Sequence, residues 1–147
     1  ILSTLDTSIA YEAVGLDLAK TDVALAAFDS DHKEPYFIDR IPYDKLYELL
    51  ANMAPTLVAM EPCSGAHQIA EQIQALGHEV MMISGRHVQA WVKDHCNGQK
   101  TDLNDAFAIL NLVFVKILQK NWLGVFLSLK NLSRGFAPTL RYPRIFF

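Results

Sequence analysis

The sequence predicts a mixed α/β fold: three antiparallel strands, then parallel strands extending the same sheet, with helices on its faces. Three observations lead there. Residues 12–41 hold short apolar runs separated by tight polar turns, the pattern of an antiparallel meander. From Tyr43 the apolar spacing becomes helical. Thereafter short, almost wholly apolar runs alternate with amphipathic helices, as parallel strands covered on both faces do.

Taken in order, residues 1–11 form a lead-in. Glu12 to Asp17 reads as a first strand and Asp22 to Phe28 as a second, joined by a turn at Lys20-Thr21. The cluster Asp29-Ser30-Asp31-His32-Lys33-Glu34-Pro35 is a turn, and Tyr36 to Ile41 a third strand. Leu46, Leu49, Leu50 and Met53 set the inward stripe of a helix over Tyr43 to Asn52, which Pro55 ends. Thr56 to Met60 is an apolar parallel strand closing on Glu61-Pro62. Ser64 is the expected N-cap of a helix whose stripe runs Ala66, Ile69, Ala70, Ile73, Leu76, with Gly77 as its stop. Glu79 to Ile83 is a fifth strand, Ser84 to Lys93 a short helix, and Asp94 to Gln99 a polar loop. Lys100-Thr101-Asp102 opens a further helix with Thr101 as its cap.

A chain of 147 residues suits one domain with an appendage. With 51% hydrophobic and 20% charged residues it has the material for a core and lacks the composition of a disordered chain. A net charge of −3 and a pI near 5.9 supply no global basic field. That argues against a stand-alone DNA binder, but not against an enzyme that holds DNA through metal ions and local patches. Cys63 and Cys96 are too few and too distant for a disulfide framework, and a reducing cytoplasm is the simpler setting. Ile1 to Ala10 lacks the parts of a signal peptide. Lys116, Gln119, Lys120 and Asn121 interrupt the apolar stretch Ile109 to Leu129, so no membrane span is expected.

Carboxylates stand where this layout collects chemistry. Glu61 falls at the C-terminal end of a parallel strand, where ligand sites of open α/β sheets gather. Asp17 ends the first strand; if the two strands are neighbours, both acids face one crevice. Asp102 and Asp105 are spaced to share one helix face. Four converging carboxylates repel and raise one another's pKa values. Mg²⁺ relieves this with hard oxygen ligands. Two such ions about 3.5–4 Å apart serve phosphodiester cleavage. Spacing alone also fits a plainer arrangement of solvated acids, with Asp102 complementing a helix dipole.

The residues themselves carry a likeness. Gly15-Leu16-Asp17-Leu18-Ala19-Lys20, Met60-Glu61-Pro62-Cys63-Ser64-Gly65-Ala66-His67, Leu76-Gly77-His78-Glu79-Val80 and Lys100-Thr101-Asp102-Leu103-Asn104-Asp105-Ala106 follow in order. Together they resemble the DEDD-type insertion-sequence transposases related to the Piv DNA invertase. The likeness covers residues from about 12 to 110. It implies a ribonuclease-H-like, RuvC-like catalytic domain over 12–112, with Asp17, Glu61, Asp102 and Asp105 as the catalytic, metal-binding tetrad. It further implies Mg²⁺ (or Mn²⁺), cleavage and exchange of DNA strands at insertion-sequence ends and target, homo-oligomers, in some members a guide RNA, and no membrane. Relatives carry a second domain with a nucleophilic serine; no counterpart is found, and Ser128 and Ser133 match no motif. Residues 113–147, apolar and then basic with Arg134, Arg141 and Arg144, are expected to be an aberrant tail from truncation or frameshift. The initial Ile1 is read the same way, as a fragment, an unusual start or a conceptual translation.

Other constellations weigh less. Cys63, His67, His95 and Cys96 suggest zinc, but adjacent His95-Cys96 is not a usual ligand pair. Cys63 has no evident base to make it a nucleophile. His78 reads as structural. Lys20 either screens the acids or is solvated. Arg86, His87, Lys93, Lys100 and Trp91 form a nucleic-acid-facing patch or a mixed helix surface with Trp91 packed inward. A sugar-kinase-like or actin-like ATPase would need glycine-rich phosphate loops that are absent. The rival outside catalysis is an inactive remnant that binds nucleic acid or full-length transposase.

Overall fold

The computed structural model of the chain describes residues 5–29, 35–116 and the backbone of 145–146. Its centre is a mixed sheet. Strands β1 (Ala13–Leu18), β2 (Asp22–Phe28) and β3 (Tyr36–Pro42) form the antiparallel meander, followed by helix α1 (Tyr43–Ala51). Then come β4 (Leu57–Met60), α2 (Ala66–Ala75), β5 (Glu79–Met82), α3 (Gly85–His95) and α4, helical over residues 102–116. A two-residue strand, β6 (Ile145–Phe146), pairs parallel to β5. The sheet order is β3-β2-β1-β4-β5-β6, so β1 lies beside β4, which meets the condition on which Asp17 and Glu61 face one crevice. Antiparallel and parallel strands share one sheet with helices on both faces, the ribonuclease-H-like arrangement.

Alternation along the central strands sorts the core into two layers. Val14, Leu16, Val23, Leu25, Val58, Met60, Val80 and Met82 pack against Leu46 and Leu50 of α1 and Ala66, Ala70 and Ile73 of α2. Ala13, Ala24, Ala26, Ala59 and Met81 face α3 and α4, meeting Val88, Val92, Ala106, Ile109, Leu110 and Val113. The second face is paved with small side chains near β1. There α4 comes down to backbone contact: a Cβ on Gly15 would stand 2.6 Å from the Ala106 carbonyl oxygen and 3.0 Å from the Leu110 nitrogen.

Local details follow the sequence with a few corrections. Thr101 caps α4, its Oγ1 accepting from the Asn104 N–H at 3.1 Å. Gly77 closes α2 at φ 96°, a left-handed position suited to glycine. Ser64 does not cap α2. Gly65 occupies the cap position at φ 84°, without a side-chain hydrogen bond, and the first-turn N–H of Ala66 reaches back to the Cys63 carbonyl at 3.0 Å. Helix α3 runs two residues further than expected, so Asp94 and His95 are helical rather than in a loop. The His95 ring stacks on Trp91 at 4.3 Å, and its Nδ1 lies 3.0 Å from the Trp91 carbonyl oxygen. Trp91 packs inward, edge-on to Phe107 at 5.5 Å. His78 is structural: buried, it accepts at Nδ1 from the Thr56 N–H (3.1 Å) and donates from Nε2 to the Leu50 carbonyl (2.7 Å). Among the described residues no helix is long and apolar enough to cross a membrane. Most of the stretch read as an aberrant tail, with Ser128, Ser133, Arg134, Arg141 and Arg144, lies outside the described residues, as do the first residues of the lead-in and the centre of the β2–β3 turn.

The close seat of α4 makes Gly15 intolerant of substitution. Gly15→Ala must push α4 off β1, because the clashing atoms are backbone. Loss of about 1–3 kcal/mol of unfolding free energy is expected, an overpacking cost, read as a lower midpoint in a urea titration followed by circular dichroism.

Candidate active site

Parallel pairing aligns the ends of β1 and β4. Gly15 pairs with Ala59 and Leu16 with Met60, so Asp17 and Glu61 are the next residues along each strand. Both continue the alternation of Ala13–Gly15 and Leu57–Ala59 and therefore emerge on the α3–α4 face. Gly15 carries the third element. By letting Ala106 sit on β1 it brings Asp105, one residue earlier and only 6% exposed, over the end of the strand. Glu61 lies against the first turn of α3: a Cβ on Gly85 would stand 3.0 Å from its Oε2. The tight approach of a carboxylate to a helix N-terminus is electrostatically favourable.

Charge confirms the crowding. The Asp17 carboxyl is pushed up to about 7, first by burial and then by Asp105, Asp102 and Glu61, with Lys100 opposing. Burial and Asp105 raise Glu61, and Lys100 pulls it back. Burial also raises Asp105, against Lys100, with Asp102 adding to the rise. The cation whose field reaches these acids is thus Lys100, while Lys20 is exposed in the β1–β2 turn. The Cys63 thiol is held above its usual value by burial, Glu61 and Asp17, which disfavours the thiolate a nucleophile needs.

The acids do not all point inward. Asp102, at the start of α4, is ion-paired with Nη2 of Arg40 from β3, whose Nη1 lies 3.5 Å from Oδ1 of Asp22. Among the described residues no three His, Cys, Asp or Glu side chains stand close enough to share a metal ion in this arrangement. The donor set nonetheless suits a hard divalent cation: carboxylate oxygens only, part-buried excess negative charge, and an Asp17 carboxyl pushed up to about 7 by burial and then by its acidic neighbours. Asp17, Glu61 and Asp105 would be the inner donors, and Asp102 would join on leaving Arg40. The sequence reading missed Arg40 and Gly85. Arg40 looked like an ordinary strand residue, and nothing local marks Gly85 as more than a helix start.

Comparison with known proteins places the sequence in a family. Residues 14–124 match a transposase family, the DEDD transposases of the IS110 type. The transposase for insertion sequence element IS1328 of Yersinia enterocolitica is 36% identical over 96 residues, 65% of this chain and 27% of that protein. A probable family 20 transposase of Pseudomonas aeruginosa is 34% identical over the same length, again 65% of this chain and 27% of its own. The transposase for insertion sequence element IS1111A of Coxiella burnetii is 31% identical over 96 residues, 65% of this chain and 25% of that protein. The chain spans about a quarter of the length of the curated relatives it matches.

Two outcomes follow for the protein free of divalent ions. An acid whose folded pKa is raised opposes folding once ionised, so the Asp17 penalty is absent below about pH 4, grows as pH rises, and is complete above about 7. Asp17→Asn should therefore stabilise the chain at pH 8 by on the order of 1 kcal/mol after solvent screening, and leave it unchanged at pH 4, read by thermal melts at both values. Gly85→Ala should preserve or slightly raise the melting temperature, since alanine favours helix by up to about 1 kcal/mol. It should weaken divalent-ion uptake in calorimetry, because Glu61 must give way.

Proposed function

The chain belongs to the DEDD transposase family of the IS110 type, and on that premise we propose that residues 12–112 are its RuvC-like catalytic domain, cutting and exchanging DNA strands with divalent cations held by Asp17, Glu61, Asp102 and Asp105. One observation carries this reading: acids from two parallel strand ends and one helix converge in a half-buried place, where burial first, and then Asp105, Asp102 and Glu61, push Asp17 up to about 7. Such crowding costs the fold while nothing offsets it, and bound cations would offset it.

In this reading a bound Mg²⁺ or Mn²⁺ supplies charge stabilisation for the oxygens entering and leaving phosphorus. The chain's own residues do the rest. Asp17 is fixed at the end of β1, Glu61 follows the last residue of β4, and Asp105 is held on α4 where that helix seats on β1, so the donors are set by the sheet and the helix packed on it. Beside Asp105 opens a cleft of ≈ 360 Å³ lined by Gln89, Ala90, Val92, Lys93, Gly98, Lys100 and Asp105. Lys93 and Lys100 there offer a phosphate backbone its counter-charge next to the acids. Arg86 and His87, exposed on the same helix, extend that patch. The substrates are the ends and target of the insertion sequence. A guide RNA and further copies of the chain are the partners that the family resemblance brings, and the cytoplasm is the compartment, in keeping with free Cys63 and Cys96.

Calorimetric titration of Mn²⁺ into the wild-type chain, Asp17→Ala and Asp102→Asn tests the reading. Each substitution should weaken binding on the order of tenfold or more, as loss of a ligand shell contact does. Equal affinity in all three sinks the shared site. Cleavage of insertion-sequence-end DNA by the wild type, abolished in Asp17→Ala, separates a catalytic domain from a remnant that binds nucleic acid without cutting.

A further inference from the structure

Strand β3 contains a defect with a direction. Val23 of β2 pairs with Ile41 but Leu25 pairs with Ile38, so β3 carries one residue too many between the two pairs. Ile38 and Ile41 both pack into the core layer under α1 and α2. In an unbroken strand Arg40 would share the face of Ile38 and point into that layer. Instead Arg40 takes φ 55°, a left-handed backbone that L-residues adopt at a cost. Bulges of this kind re-aim side chains. Here the guanidinium is delivered to the opposite face of the sheet, where it pairs with Asp102 and approaches Asp22.

The pair is built to be exchanged. The side chains are 58% and 37% exposed, so water screens their attraction, and an exposed ion pair is weak. Such a pair can be broken by a competing cation that takes over the carboxylate. Of the four acids it takes the one at the mouth of the site, leaving Asp17, Glu61 and Asp105 to face Lys100.

We propose that Arg40 is a displaceable counter-ion for Asp102, a positioning residue that holds the fourth carboxylate away from Asp17 until a divalent cation takes its place, and so sets the affinity of the site. The inference rests on reading the four acids as a cation site. It assigns the bulge in β3 a purpose: a strained residue is kept where a regular strand would bury a charge.

The test is Mn²⁺ calorimetry on Arg40→Ala, Arg40→Gly and Arg40→Lys, with thermal melts to verify folding. Arg40→Gly also removes the backbone strain, so it remains folded if the alanine variant does not. Alanine and glycine variants should bind Mn²⁺ about two- to fivefold more tightly than wild type, the scale of a released surface ion pair, and the lysine variant close to wild type. In an Asp102→Asn background the alanine substitution should change nothing, since its partner is gone. Unchanged or weaker binding in both Arg40→Ala and Arg40→Gly overturns the counter-ion role while leaving the cation site standing. A wild-type chain that takes up no Mn²⁺ overturns both.

Discussion

The missing side chain at Gly15 is the constraint on which the rest of the molecule depends. A helix normally packs on a sheet about 10 Å away, held off by the side chains between them. Over β1 that separation collapses, because Ala13, Gly15, Ala24, Ala26 and Ala59 leave the sheet nearly bare and Ala106 matches them from the helix. The Ala106 carbonyl comes to 2.6 Å from where a Gly15 Cβ would be. The seat fixes both the height and the rotation of α4, and with them the position of Asp105 relative to Asp17. Packing and site geometry are therefore a single arrangement. Leu110 joins the contact through its own backbone nitrogen and Cβ, and Ile109 and Val113 pack on the same face of the sheet.

From that seat the charge arrangement follows. Strand ends expose Asp17 and Glu61 in register, the helix brings Asp105 down on them, and burial leaves little water to screen the three. The cost appears as the upward displacement of every one of these carboxyls. Lys100 relieves part of it at Glu61, whose side chain lies against the first turn of α3 where Gly85 leaves room. Helix termini commonly receive carboxylates. Here the glycine makes the approach close at the expense of helix propensity, a local rule broken next to the site, where such breaks are expected.

Most of this was legible from residues alone. The apolar runs Val23 to Phe28 and Leu57 to Met60 marked strands of the sheet, and β1 beside β4, left as a condition by the sequence, is met in the strand order. Asp17 and Glu61 were found because a carboxylate closing an apolar run is conspicuous. Helical spacing put Asp102 and Asp105 on one face, and the family resemblance joined them to the other two acids. What escaped were features that sequence period cannot encode. The bulge at Arg40 is set by the pairing of Val23 and Leu25 with a partner strand, a tertiary fact, and leaves Tyr36 to Ile41 looking like a regular strand. Gly85 differs from any helix-start glycine only through Glu61, distant in sequence. Ser64 failed as a cap because the backbone turns at Gly65 instead, so propensity named the right place and the wrong residue.

The same close seat limits how the site can respond to its own repulsion. Acids on a mobile loop can swing apart and find water. Asp105 cannot, because moving it means lifting Ala106 from Gly15 and opening the apolar contacts of Ile109 and Leu110 behind it. Asp17 cannot either, since its backbone is held between β2 and β4. Only Glu61, through its longer side chain, and Asp102, at the helix start, have freedom, and each has used it: one leans on α3, the other on Arg40. The two rigid acids are left with Lys100 as opposing charge. A fold that fixes Asp17 and Asp105 this firmly and lets only Glu61 and Asp102 move leaves their repulsion to be offset by added positive charge rather than by rearrangement.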